Sequence, residues 1–236
     1  MAKFTHLRQL LLGVSSLLAG RLGPTAALAA GTLATLSLLA LAPAAQAQVP
    51  AGTSHGPFVG LPPTAAMSAA CGTGSSSACQ GAVVAAIDQA REAEGIGPLA
   101  LPAGYATMSA PGQLLVLANA ERVARGLPAF VGLSGALDNL AEQGAVSGTD
   151  PNGPSGADWG SNWAGGEGSV LLADYDWMYY DGPGSPNLDC PSASSSGCWA
   201  HRENILGNYG PHPWMGAAEA SVKGVTSMAE LFSSAA

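Results

Sequence analysis

The sequence predicts an α+β fold in which helices come first and a small antiparallel sheet comes last. Three segments between about residues 81 and 147 place apolar side chains at helical spacing. Two strand-like runs, about 214–222 and 225–232, close the chain, with Lys223-Gly224 between them as a hairpin turn. At 47% hydrophobic and 10% charged, the 236 residues carry enough apolar surface for a core. The same figures exclude a coiled coil or a charge-rich disordered tail.

The first 47 residues read as an export signal. Lys3, Arg8 and Arg21 form a basic start, an apolar run extends from Ala26 to Ala42, and Ala45-Gln46-Ala47 offers a small-residue cleavage site. Cleavage after Ala47 is expected, giving a secreted protein with no stable membrane span. An uncleaved N-terminal anchor is the competing reading, because about 17 largely apolar residues are borderline for crossing a bilayer. Residues 48–80, rich in Pro, Gly, Ser and Ala, read as a flexible spacer before a folded body over 81–236.

The body opens with a helix over about 81–94, where Val83, Ile87 and Ala90 share a face and Gly95 then Pro98 stop it. A second helix runs from about Pro111 to Arg125, with Ser109 placed to cap it and Gly126 and Pro128 ending it. In the third, Ser134 stands before Leu137, Leu140, Ala141, Gly144 and Ala145, a stripe of small residues suited to close packing. Between Ser147 and Gly168 the Gly-, Pro- and Asp-rich composition reads as loop. Its Trp159 and Trp163 either pin that loop to the body or line a surface. A short helix over about 173–180 and one or two turns over 201–206 complete the set.

Charge and cysteines narrow the function. The formal net charge is −8, and beyond residue 47 only five Lys or Arg remain against sixteen acids. Such a body cannot neutralise a run of phosphates, which excludes nucleic acid, and a polybasic membrane mode fails for the same reason. Cys71, Cys79, Cys190 and Cys198 form two C-x7-C pairs, read as the disulfides 71–79 and 190–198 because each short loop closes at low entropic cost. A zinc site of all four is the alternative, with spacing wider than zinc sites normally show. Phosphate-binding glycine loops, H-E-x-x-H and G-x-S-x-G are all absent from the sequence. Past residue 60 the histidines are His201 and His212, and His212 is wedged between prolines. Any ring base is therefore His201.

Around His201 the residues resemble a family. Gly197-Cys198-Trp199-Ala200-His201-Arg202-Glu203-Asn204-Ile205-Leu206 resembles the His-Arg-x-Asn-Ile-Leu signature of bacterial CAP-domain proteins, in the superfamily of cysteine-rich secretory, venom-antigen and pathogenesis-related proteins. Leu117, Asn119, Arg122 and Gly126 resemble the family's first core helix, and Leu137, Leu140 and Ala141 its second. Gly166-Glu167-Gly168 resembles its Gly-Glu-Asn, and Trp177 its Trp-x-x-Glu helix. The resemblance spans about residues 113–232 and leaves the helix over 81–94 as an addition.

The resemblance implies an α-β-α sandwich with a central cleft holding two histidines and two acids. Carried over residue by residue, His201 matches the second histidine and Glu167 the first acid. No first histidine exists, leaving Asp150 or Asp158 nearest to that region. Tyr180 stands where the second acid belongs, with Asp181 one position late. One imidazole and one carboxylate are too few ligands for a constitutive metal, so no metal or cofactor is expected. His201 and Glu167 serve either as an acid–base couple or as a buried structural pair. Trp177, Tyr180 and Trp199 either face a ligand or pack in the core. The expectation that follows is a secreted, mainly non-enzymatic binding module for a lipid, a sterol-like molecule or a cell-envelope glycan. The alternatives are a peptidase-like hydrolase using the His/Glu pair and a disulfide-stapled extracellular scaffold.

Overall fold

The computed structural model describes residues 61–236 apart from 73–75, 184, 186–191, 193–194 and 196. The expected signal segment, about half of the expected spacer and Cys190 lie outside the described residues. The elements are α1 (Ala65–Cys71), α2 (Ser77–Ala93), a 3-10 turn (Tyr105–Thr107), α3 (Ala110–Ala124), α4 (Gly135–Ser147), β1 (Trp159–Gly165), α5 (Val170–Met178), α6 (Ala200–Ile205), β2 (Trp214–Val222) and β3 (Val225–Ser233).

Local chemistry sets most of these boundaries. Ser76, Ser109 and Ser169 each accept a backbone N–H in the first turn of α2, α3 and α5. Ser134 stands at the N-cap of α4 without a side-chain bond. The expected spacer ends earlier than its composition implied, because Thr64 accepts the Met67 N–H and starts α1, and α2 begins at Ser77. The segment 159–165, expected as loop, is a strand: its Gly-, Ser- and Asn-rich composition lacks a strand signal, and pairing with β3 supplies the order instead.

The sheet has the order β1-β3-β2 and is antiparallel throughout, with Trp159 opposite Ser233 and Met215 opposite Phe232. The β2–β3 hairpin turns at Lys223 (φ 53°) and Gly224 (φ 81°), the pair of positive φ values that a two-residue turn requires. Alternation along the strands sorts the two faces. Ala218 and Ala229, with Trp163, meet Ala141 and Ala145 of α4 on one face. Met215, Met228 and Phe232 join the main core with α3, α5 and α6 on the other. Helices thus cover both sides of the sheet, an α-β-α sandwich. At Gly216 the approach of α4 is so close that a Cβ would stand 2.3 Å from the Leu137 carbonyl oxygen.

Beneath the sheet lies a charged core. Arg91 pairs with Glu121 at 2.8 Å, Arg125 with Glu94 at 2.8 Å and with Glu121, and Arg202 with Glu94 at 2.7 Å. Tyr179 adds a hydroxyl bond to Glu121 at 2.8 Å. Burial raises the Glu94 pKa, but Arg125 and Arg202 outweigh it and leave the carboxylate below its ordinary value. Arg122 takes a different route. It donates to the carbonyls of Pro128, Ile205 and Gly207 at 2.7–2.8 Å and lies 4.4 Å over the Phe130 ring. These four arginines are all buried, so among the described residues the only exposed Lys or Arg is Lys223.

Candidate functional site

His201 lies in the first turn of α6, where the segment after α5 brings Asp181 against it. One Asp181 oxygen accepts the backbone N–H groups of His201 at 3.1 Å and Arg202 at 3.3 Å; the other faces His201 Nδ1 at 3.4 Å. The fully buried carboxylate therefore both caps a helix and fixes the imidazole. The acid that stood one position late is the partner of the histidine.

Asp150 approaches the same histidine electrostatically and accepts the backbone N–H of Trp163. That bond occupies the outer edge of β1, where Asn204 Nδ2 also reaches the Ser161 carbonyl at 2.7 Å and Trp177 Nε1 the Trp163 carbonyl at 3.2 Å. An edge strand dressed in side-chain bonds offers little to an incoming strand. Asp158 is exposed, and its backbone exchanges bonds with Ser234 that extend the β1–β3 pairing.

The rest of the His-Arg-x-Asn-Ile-Leu run is equally occupied. Arg202 binds Glu94 and the Met178 carbonyl at 2.6 Å, Ile205 is fully buried, and the Asn204 carbonyl accepts the Tyr209 hydroxyl at 2.7 Å. Asn162 completes the knot by donating to the His201 carbonyl at 3.1 Å and to Glu230 at 2.8 Å.

Glu167 sits in a second pair. Its carboxyl hydrogen-bonds Asp176 of α5, and burial together with the neighbouring Glu167 pushes Asp176 up to about 8. Two carboxyls that share a bond hold one proton between them, since like charges at this range cannot both ionise freely. The pair lines a cleft of about 550 Å³ with Pro63, Met67, Ser68 and Leu172, whose walls are α1 on one side and α5 with the Gly166–Gly168 loop on the other.

The aromatic candidates divide. Trp177 and Trp199 are 0% and 2% exposed and belong to the main core, so of the two alternatives they pack in the core and do not face a ligand. Bulk and planarity make each worth more to packing than to a rim. Tyr180 is half-buried against that core. Among the described residues no three His, Cys, Asp or Glu side chains are arranged to hold a metal ion. At His201 the nearby carboxylates are committed to backbone N–H groups, a donor set that does not fit a divalent ion. Cys71 and Cys79 are disulfide-bonded to each other, and Cys198 is disulfide-bonded too.

Asp176 and Asn162 have no foretelling pattern, because each reaches its partner through space from a different element. The charged core had a numerical signal. Five cations in a body with sixteen acids are few enough that each is spent where burial demands a partner.

No protein-family model matches the chain, and no curated protein matches it. Among solved structures the chain is similar to the crystal structure of MpPR-1i, at 20% identity and a TM-score of 0.35 over 52% of this chain and 85% of that one. A second crystal structure of MpPR-1i, soaked with selenourea for 10 min, gives the same identity and TM-score over 52% of this chain and 89% of that one.

Proposed function

We propose that the chain is a secreted CAP-domain protein that acts by binding, with its ligand in the cleft between α1 and α5. The observation that carries this reading is the engagement of His201. Its ring is held by Asp181, and Arg202, Asn204 and Ile205 in the same run hold α6 to the sheet and the core. The run's side chains are spent on holding α6 in place and His201 itself is buried, which favours binding over hydrolysis. Glu167, the other carried-over residue, is bonded to Asp176, so the two candidates belong to separate pairs. The five family-like marks, in order, fall on α3, α4, the β1–α5 loop, α5 and α6.

Within the ligand classes, the cleft favours a hydroxyl-rich cell-envelope glycan over a sterol. A carboxyl pair with one proton both donates and accepts hydrogen bonds, which suits sugar hydroxyls, while Pro63, Met67 and Leu172 supply the apolar wall. The Cys71–Cys79 bond fits an oxidising compartment and hence secretion.

The test is calorimetric titration of the oxidised protein with an N-acetylglucosamine tetramer and, separately, with a short-chain phospholipid. Saturable glycan binding that weakens at least tenfold in Asp176→Asn supports the reading. His201→Ala is expected to lower the melting temperature and leave that binding intact. A hydrolytic activity lost in His201→Ala at unchanged melting temperature would overturn it.

A further inference from the structure

We propose that the Cys71–Cys79 disulfide builds one wall of the cleft, so that the cleft is assembled on oxidation and dismantled on reduction. The bond joins the last residue of α1 to the first turn of α2, with Cα atoms 4.5 Å apart. Half of the cleft lining, namely Pro63, Met67, Ser68, Cys71 and Gly72, belongs to α1 and its flanks. The opposite wall is anchored independently: Gly166 N–H binds the Thr226 carbonyl at 2.8 Å, and α5 is embedded in the main core.

The α1 wall has little else to hold it. Seven residues are too few to remain helical in water without tertiary support. Among the described residues the remaining anchors are the buried Met67, packing of α1 on α2, a Leu61 N–H bond to the Tyr179 carbonyl at 2.7 Å, and a Tyr175 hydroxyl that bonds the Leu61 carbonyl at 3.1 Å and the Pro62 carbonyl at 3.4 Å. The backbone anchors lie before the helix begins, so the C-terminal half of α1 depends on the disulfide. Closing a loop with a sequence separation of 8 is worth on the order of tenfold to a hundredfold in local order.

The reductant is a dithiol. One of its thiolates attacks the sulfur of Cys71, the half-buried residue of the pair beside the fully buried Cys79, forming a mixed disulfide and releasing Cys79, which takes a proton. Its second thiol then displaces Cys71 and closes the reductant into a cyclic disulfide. Two electrons pass to the protein, which ends with two thiols. In the reverse direction a disulfide oxidant exchanges with the two thiols, takes up their two electrons and two protons, leaves as a dithiol, and so restores the Cys71–Cys79 bond and the wall.

The proposal depends on the binding reading only for the use of the cleft, and its test needs no ligand. Hydrogen exchange is measured on the full oxidised chain, on the chain with dithiothreitol, and on the double variant Cys71→Ser/Cys79→Ser, which leaves the Cys198 bond in place. Protection over residues 65–71 is expected to fall at least tenfold in the last two, with β2 and β3 unchanged. Retained protection over residues 65–71 in the double variant overturns the proposal. Loss across β2 and β3 as well also overturns it, because the bond then supports the whole fold rather than one wall.

Discussion

Glu230 offers a quantitative test of how the sheet meets the core. It stands in the middle of β3, 2% exposed, with Asn162 donating to it at 2.8 Å. Burial drives its pKa up, the Asn162 bond opposes this, and the result is about 8 against an ordinary 4.5. A carboxyl raised on folding is bound to its proton more tightly in the native state. Its contribution to stability is therefore full below pH 4.5, declines as pH rises through the window from 4.5 to 8, and is flat again above it. At 1.36 kcal/mol per pKa unit, going from pH 5 to pH 7 costs roughly 2–3 kcal/mol through this one group. Glu230→Gln keeps the acceptor for Asn162 and removes the titration. Urea unfolding followed by circular dichroism between pH 5 and 8 should show the variant gaining on the parent by about that amount as pH rises. Asp176 is common to both curves, whereas the Glu230 charge also raises Asp174, so the difference reports Glu230 together with that coupling. Parallel curves would refute the argument, because they would mean that Glu230 is ionised or solvated in the fold.

Further outcomes follow from the same packing. Arg202→Met strands part of the Glu94 charge and should cost about 3–5 kcal/mol in urea unfolding, more than a surface arginine could. Gly216→Ala drives a methyl into the Leu137 backbone and should destabilise by at least about 2 kcal/mol, visible as a melting temperature lowered by several degrees. Raising sodium chloride from 20 mM to 0.5 M at pH 7 should raise the melting temperature, because the surface is acidic with Lys223 as its one described Lys or Arg; a fall would contradict that charge arrangement. Zinc titrated into the oxidised protein should give no saturable heat that depends on His201, and tight binding abolished by His201→Ala would show that Asp150 and Asp181 are free to ligate after all.

Helices and hairpin were legible because they are local. Ser109 and Ser134 mark their helix starts, and Lys223-Gly224 turns the hairpin, within a few residues of what they control. β1 was not legible, because Trp159–Gly165 has no intrinsic strand preference and is ordered by β3 some seventy residues later and by side chains from α5, α6 and the α4–β1 loop. The candidate site shows the same division more sharply. The identities in the His-Arg-x-Asn-Ile-Leu run were evident, yet a one-dimensional reading pairs His201 with Glu167, because those two match the carried-over pattern in place while Asp181 stands one position late. The fold assigns it to Asp181, displaced by one residue from the expected acid. That shift is enough to change the role, because an acid in the segment after α5 reaches the start of α6 and takes the backbone N–H groups there as well as the imidazole. Asp181 is thus a helix cap with a histidine attached. The carboxyl left over, Glu167, finds its hydrogen bond with Asp176 in a cleft of its own.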